Sequence, residues 1–188
     1  MKIKILTIIC SLIFLSSFFT KPVSASYSGV SISPTRQTNL RLAADYDKNQ
    51  APSPILVQSI RKVLQSYNSP LAPHAESFAK ACIKYNVDCF LAPSIAGVES
   101  GFGKRYIKGT HNVWGFGGGK MSFANWDVAI DKVTATLANK YIARGANTTQ
   151  KINKRYCPPN QAWYQKVDFF RNKFYAQLNK EQKLLAKK

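Results

Sequence analysis

Apolar residues recur along this chain at the three- and four-residue steps of helices that bury one face. Ile55, Val57, Ile60, Val63 and Leu64 mark the first, which runs from Ser53-Pro54 to Tyr67 and breaks at Asn68-Ser69-Pro70. Serine is suited to cap it and proline to its first turn. Phe78, Ala81, Cys82 and Tyr85 predict a second helix from about Pro73 to Tyr85, placed to pack beneath a third. That third helix opens at Leu91, has Pro93 in its first turn, turns Ile95 and Val98 inward and stops at Gly101-Phe102-Gly103. Trp126, Ile130, Val133, Leu137 and Tyr141 predict a long helix capped by Asn125 and ended at Gly145. Thr148 starts a short helix stopped by Cys157-Pro158-Pro159, and Trp163, Val167, Phe170, Phe174 and Leu178 line a last one from about Gln161. Residues 111 to 123, rich in glycine and aromatics, break this spacing and read as a small loop or hairpin. The fold class predicted is mostly α.

The ends of the chain read differently. Lys2 and Lys4, the apolar run from Ile5 to Phe19 and Val23-Ser24-Ala25 are the three parts of a secretory signal peptide, with cleavage after Ala25. The unbroken apolar run is short of the roughly 20 residues that span a bilayer, so a membrane anchor is the weaker reading. Residues 26–53, rich in Ser, Thr, Asn, Gln and Pro, read as a leader, residues 54–178 as one domain, and residues 179–188 as a basic tail that frays into solvent. Cys82, Cys89 and Cys157 remain after cleavage; an oxidising compartment allows one bridge among them, with any of three pairings and one thiol left over.

Within the helical pattern, Glu99 stands out. Of the three glutamates, Glu76, Glu99 and Glu181, only this one lies between an apolar helix and a Gly/aromatic loop. The C-terminal end of a helix disfavours an anion, and apolar neighbours such as Val98, Phe102, Trp114 and Phe116 act in the same sense. Both effects favour a carboxyl group that keeps its proton near neutral pH, as a general acid must. Asp88 reads as a turn cap, while Asp127 and Asp131 suit the start of their helix.

Glu99-Ser100-Gly101-Phe102-Gly103-Lys104, followed by Asn112-Val113-Trp114-Gly115-Phe116-Gly117, resembles the active-site segment of lysozyme-like peptidoglycan-cleaving enzymes. The pattern is most similar to that of the bacterial glucosaminidases and more loosely to soluble lytic transglycosylases and goose-type lysozymes, which share the Glu-Ser pair. It differs at Phe102, Trp114 and Arg105, and at Phe116-Gly117 where transglycosylases carry Met-Gln. The resemblance covers about residues 70 to 175. It implies a lysozyme-like helical domain that cleaves β-1,4 linkages of peptidoglycan, as an endo-β-N-acetylglucosaminidase or, in the alternative, a lytic transglycosylase or muramidase, with Glu99 as general acid and no cofactor. It further implies a substrate site that includes Ser100, Asn112, Trp114, Phe116 and Tyr141. Each of these has a plainer reading: Asn112 as a turn residue, Trp114 and Phe116 as core, and Tyr141 as core filler. Glycosidases usually add a second carboxylate. Asp88, Asp127 and Asp131 are the candidates, and the transglycosylase relatives imply the alternative, assistance by the substrate's own N-acetyl group.

Composition narrows the partners. Lys and Arg number 27 against 9 acidic residues, a net charge of +18, and loss of Lys2, Lys4 and Lys21 with the signal peptide leaves the balance strongly basic. An anionic partner follows, and secretion favours glycan strands and the anionic polymers of a bacterial wall over nucleic acid. The run Gly115–Lys120 fails as a phosphate loop, since Met121 follows the lysine. No zinc site is expected either: there is no Cys-x-x-Cys, and His74 and His111 are far apart in sequence. The chain thus reads as a secreted monomer, extracellular, wall-associated or periplasmic. Two other classes compete: a wall-binding module without catalysis, and a cationic membrane-active protein.

Overall fold

A computed structural model describes residues 51–158 and 160–187, and the expected signal peptide and most of the leader lie outside them. The described residues form helices joined by turns, with no strand among them. Six α-helices follow in order: α1 (Pro54–Ser66), α2 (Ala75–Tyr85), α3 (Leu91–Ser100), α4 (Trp126–Thr136), α5 (Thr149–Tyr156) and α6 (Trp163–Leu185). A 3₁₀ turn, Ala72–His74, leads into α2.

The elements form where their end signals stand. Asn125 accepts from the Val128 amide and Thr148 from the Lys151 amide, so both cap through their side chains. Ser53 makes no side-chain cap; its carbonyl accepts the first helical bond from Val57, and Pro54 at the first position removes one amide that would need a partner. Asn86 closes α2 in the left-handed conformation. Asp88 accepts from the Phe90 amide, as its turn-cap reading required, and also pairs with Arg171 on α6.

Helix α6 organises the packing. It lies against α1, α3 and α5, with Trp163, Val167, Phe174 and Leu178 buried. The expectation that α2 lies beneath α3 is corrected: α2 packs mainly on α1 and α4, while α3 rests on α6. Gly97 allows that contact, because a Cβ there would sit 2.7 Å from Phe102 Cζ and 3.0 Å from Phe170 Cδ2. The apolar stripe of α4 continues past its end through a π turn, Leu137–Tyr141, and a 3₁₀ turn, Ile142–Arg144, to Gly145. The wider π turn keeps Leu137 and Tyr141 both on the buried side.

Three further expectations change. No hairpin forms at residues 111–123; five glycines or neighbours with positive φ, His111, Gly115, Gly117, Gly118 and Gly119, fold the segment into successive turns instead. The basic tail does not begin at Asn179, since α6 runs on to Leu185 and Glu181 accepts from Lys62 of α1 at 2.8 Å. Cys82 is bridged to Cys89, one of the pairings left open, but no cysteine among the described residues is free, so the leftover thiol is not found. No helix of the described residues is long and apolar enough to cross a membrane.

Gly97→Ala tests the α3–α6 seam. Overpacking against the Phe102 and Phe170 rings is expected to cost about 1–3 kcal/mol, read as a lowered denaturant midpoint with an unchanged slope.

Candidate active site

The turn that ends α3 aims Glu99. Gly101 takes φ 60° and its amide bonds to the Gly97 carbonyl, while the Phe102 amide reaches back to the Ala96 carbonyl. This is the left-handed helix stop that glycine makes cheap. Phe102 follows at φ 61°, a strained conformation for a residue with a Cβ. Its ring holds it there, stacked on Tyr67 at 4.6 Å and edge-on to Phe170 at 4.8 Å, and its carbonyl accepts from Ser69. Ser100 serves the same turn: its hydroxyl donates to the Ala96 carbonyl and accepts from the Gly103 amide at 2.8 Å. It is buried and does not reach the groove, which corrects its expected place in the substrate site.

With the turn closed behind it, Glu99 lies across the α3–α6 seam. Its Oε1 accepts from Trp163 Nε1 at 2.6 Å, and Oε2 stands 3.7 Å from where a Cβ on Gly115 would be. Glycine at φ 74° brings that backbone up to the carboxyl group. Burial pushes the Glu99 pKa up from the ordinary 4.5, and the Trp163 hydrogen bond pulls it partly back. The net result is the elevated carboxyl predicted from the sequence, with burial as its first cause. Glu99 opens onto a groove of about 670 Å³ lined also by Gly97, Val98, Cys157, Asn160 and Trp163, and along α6 by Gln165, Lys166, Phe169 and Phe170.

A ring cluster supports the carboxyl from below. Tyr156 stacks on Trp163 at 4.9 Å and donates from its hydroxyl to the Trp114 carbonyl at 2.7 Å. Trp114 in turn donates from Nε1 to the Ala92 carbonyl at the start of α3. Trp114 is 1% exposed, so it is core, and the expectation that it stacks on a sugar is corrected. Phe116, half-buried, and Tyr141 pack their rings 6.0 and 5.9 Å from Tyr156 and join the same cluster. Burial pushes the Tyr141 phenol up to about 12 against the pull of Arg155, which leaves it a neutral hydroxyl able to donate a hydrogen bond.

Asn112 follows its plainer reading. Its amide nitrogen donates to the carbonyls of Phe116 and Met121, and its side-chain oxygen accepts from the Phe116 amide. A side chain 3% exposed and bonded three ways clamps the loop and is closed to an N-acetyl group. Of the expected site residues Glu99 alone lines the groove; Phe116 and Tyr141 pack on Tyr156 behind Trp163, which corrects their expected place in the substrate site, and Ser100, Asn112 and the Trp114 ring act as supports. Sequence reasoning placed Trp163 and Tyr156 only as core and helix end; a tryptophan at the first position of a helix gives no signal of which carboxyl its indole will meet.

The aspartates are committed elsewhere. Asp88 pairs with Arg171, and Asp127 accepts from His74 at 2.7 Å and from Ser77. Asp131 holds Lys84 at 2.7 Å and the Tyr85 hydroxyl. Among the described residues no second carboxylate lines the groove with Glu99. Comparison with protein-family models and with curated proteins gives no match to this chain.

The raised Glu99 pKa makes a stability prediction with a definite sign. Between 4.5 and the raised value the folded chain holds a proton that the unfolded chain has lost, so stability falls as pH rises through that window. Glu99→Gln removes the penalty and keeps an oxygen for Trp163. Its melting temperature is expected to match the parent below pH 4.5 and to exceed it increasingly above, in paired melts across pH.

Proposed function

We propose that this chain is a secreted peptidoglycan-cleaving enzyme of the lysozyme-like class, an endo-β-N-acetylglucosaminidase that uses Glu99 as general acid. The observation that carries the reading is the position of Glu99: the one carboxyl on the groove among the described residues, desolvated, oriented by Trp163 and open to that groove. The resemblance of residues 99–104 and 112–117 to the glucosaminidase pattern supplies the substrate class. The basic balance of the chain suits a substrate embedded in anionic wall polymers.

In this mechanism a glycan strand lies in the groove with its scissile oxygen at Glu99. The protonated carboxyl donates to that oxygen as the glycosidic bond breaks, and positive charge develops at the anomeric carbon. The resulting Glu99 carboxylate keeps the Trp163 hydrogen bond, which stabilises the charged form more than the neutral one. It then removes the proton from the incoming hydroxyl and returns to its starting state. With Asp88 and Asp131 held in ion pairs and Asp127 hydrogen-bonded to His74 and Ser77, stabilisation of the cationic centre falls to the substrate's own N-acetyl oxygen.

That lone acid favours a second reading as well. If the incoming hydroxyl belongs to the sugar itself, the product is an internal anhydro ring, as in lytic transglycosylases.

Purified peptidoglycan incubated with the protein is expected to release soluble fragments with reducing N-acetylglucosamine ends, identified by mass spectrometry; anhydro ends select the transglycosylase reading. Glu99→Gln is expected to lower release by about 100-fold or more, the usual scale for a general acid. Equal release from the Gln variant rules out the mechanism, and no release from either leaves a binding module.

Trp163→Phe keeps the ring and removes the hydrogen bond that holds the Glu99 pKa down. The alkaline limb of its pH–rate profile is expected to move to higher pH, checked by kcat/KM across pH.

A further inference from the structure

The wall of the groove that leads away from Glu99 along α6 has no assigned part in the chemistry above. Trp163, Lys166, Phe169 and Phe170 recur at three- and four-residue steps and share one face of that helix. Trp163 holds the acid, so the next two turns lie about 5 and about 9 Å further along the axis. Phe169 is 54% exposed, so its ring is open to a ligand in the groove. Its ring is set edge-on to Phe170 at 5.4 Å and carries Lys173 Nζ 5.2 Å from its centroid, so it is oriented and not loose. Lys166 lies between the two aromatics, exposed, and makes no ion pair among the described residues.

An exposed ring beside an unpaired ammonium fits a ligand with an apolar face and an acidic substituent. Chitin-like strands offer the first feature alone, whereas a muramic acid unit offers both. Resting on the glycan-cleaving reading above, we propose that Lys166 and Phe169 form a subsite for a sugar ring bearing a carboxylate: Phe169 packs on the sugar face and Lys166 pairs with the acid. The subsite makes the groove selective for muramic acid-containing strands over neutral oligomers of N-acetylglucosamine. Charge supports the assignment, since Lys166 and Glu99 are the charged or titratable side chains of the groove wall and burial favours the neutral form of Glu99.

The carboxylate has two sources in such a strand, the lactyl group of a peptide-free unit or the stem peptide of a substituted one, and binding separates them. Calorimetric titration of Glu99→Gln, which binds without cleaving, uses three probes: neutral N-acetylglucosamine oligomers, peptide-free glycan strands, and strands that carry stem peptides. Adding Lys166→Met is expected to weaken binding of carboxylate-bearing strands about 5-fold, the scale of a partly exposed ion pair, and to leave the neutral oligomers unchanged. Loss on the peptide-free strand assigns the lactyl group, and loss only on the substituted strand assigns the peptide.

Lys183→Met removes a charge from the same helix outside the groove lining and is expected to change no ratio. Phe169→Ala is expected to weaken all three probes alike, by about 5-fold. Equal losses on neutral and charged probes for Lys166→Met, or none on either, overturn the subsite while leaving the glycan-cleaving reading intact. Failure of the parent protein to bind any glycan overturns both.

Discussion

The hydrogen bond from Trp163 to Glu99 joins the two helices on which the site depends. An indole N–H is a donor only, so its oxygen partner is held whether the carboxyl is protonated or charged. The bond cannot form unless α3 and α6 approach closely, and that approach requires a residue without a side chain at Gly97. The carboxyl is then desolvated by the same packing that positions it. The same packing thus sets the location and orientation of the acid, while two effects oppose each other on its pKa: burial raises it and the indole lowers it. Burial is the larger effect, and so the group is poised as an acid.

Behind this bond the support is aromatic and directional. Tyr156 stacks on Trp163, and its hydroxyl is spent on the Trp114 carbonyl, next to the glycine that approaches Glu99. Asn112 fastens the far side of the same loop through three hydrogen bonds. A loop built from glycines at positive φ pays a large entropic cost on folding, and these buried bonds offset it. The widened turn that follows α4 keeps Tyr141 on the buried side, where its ring packs on Tyr156.

Much of this was legible in the sequence, for physical reasons that also mark where legibility stops. Helices with a buried stripe and a side-chain cap, such as α4 and α5, follow from local chemistry, and the end of α3 follows from Gly101. Glu99 was legible because a carboxyl at a helix C-terminus among apolar residues is an electrostatic conflict visible without coordinates. Trp163 was not, since its role comes from a contact across 64 positions of chain that no local pattern encodes. Asn112, Trp114 and Ser100 misled in one direction: a motif shows that residues occur near a site, but not whether they face the ligand or the scaffold. The hairpin failed for a further reason. Glycine-rich aromatic segments fit a tight strand turn and a series of loops equally well, and the side chain of Asn112 decides between them. The extension of α6 to Leu185 brings Glu181 to Lys62 of α1, again a distant partner.

The distribution of acid in this chain carries a mechanistic consequence. Few carboxyl groups face many cations, and a scarce carboxylate is readily captured by Lys or Arg, as Asp88, Asp131 and Glu181 are. A captured carboxylate has a lowered pKa and a neutralised field, as the direction at Asp131 and Glu181 shows, and it can neither donate a proton nor stabilise a cation. Glu99 escapes capture because the walls nearest it are indole, backbone and apolar side chains. A basic protein that needs one proton donor must therefore shield it from its own lysines, and once it has done so, a second free carboxylate in the same groove would raise the pKa of the first still further by repulsion. A single acid, with cation stabilisation supplied by the substrate, is the arrangement most compatible with so basic a chain.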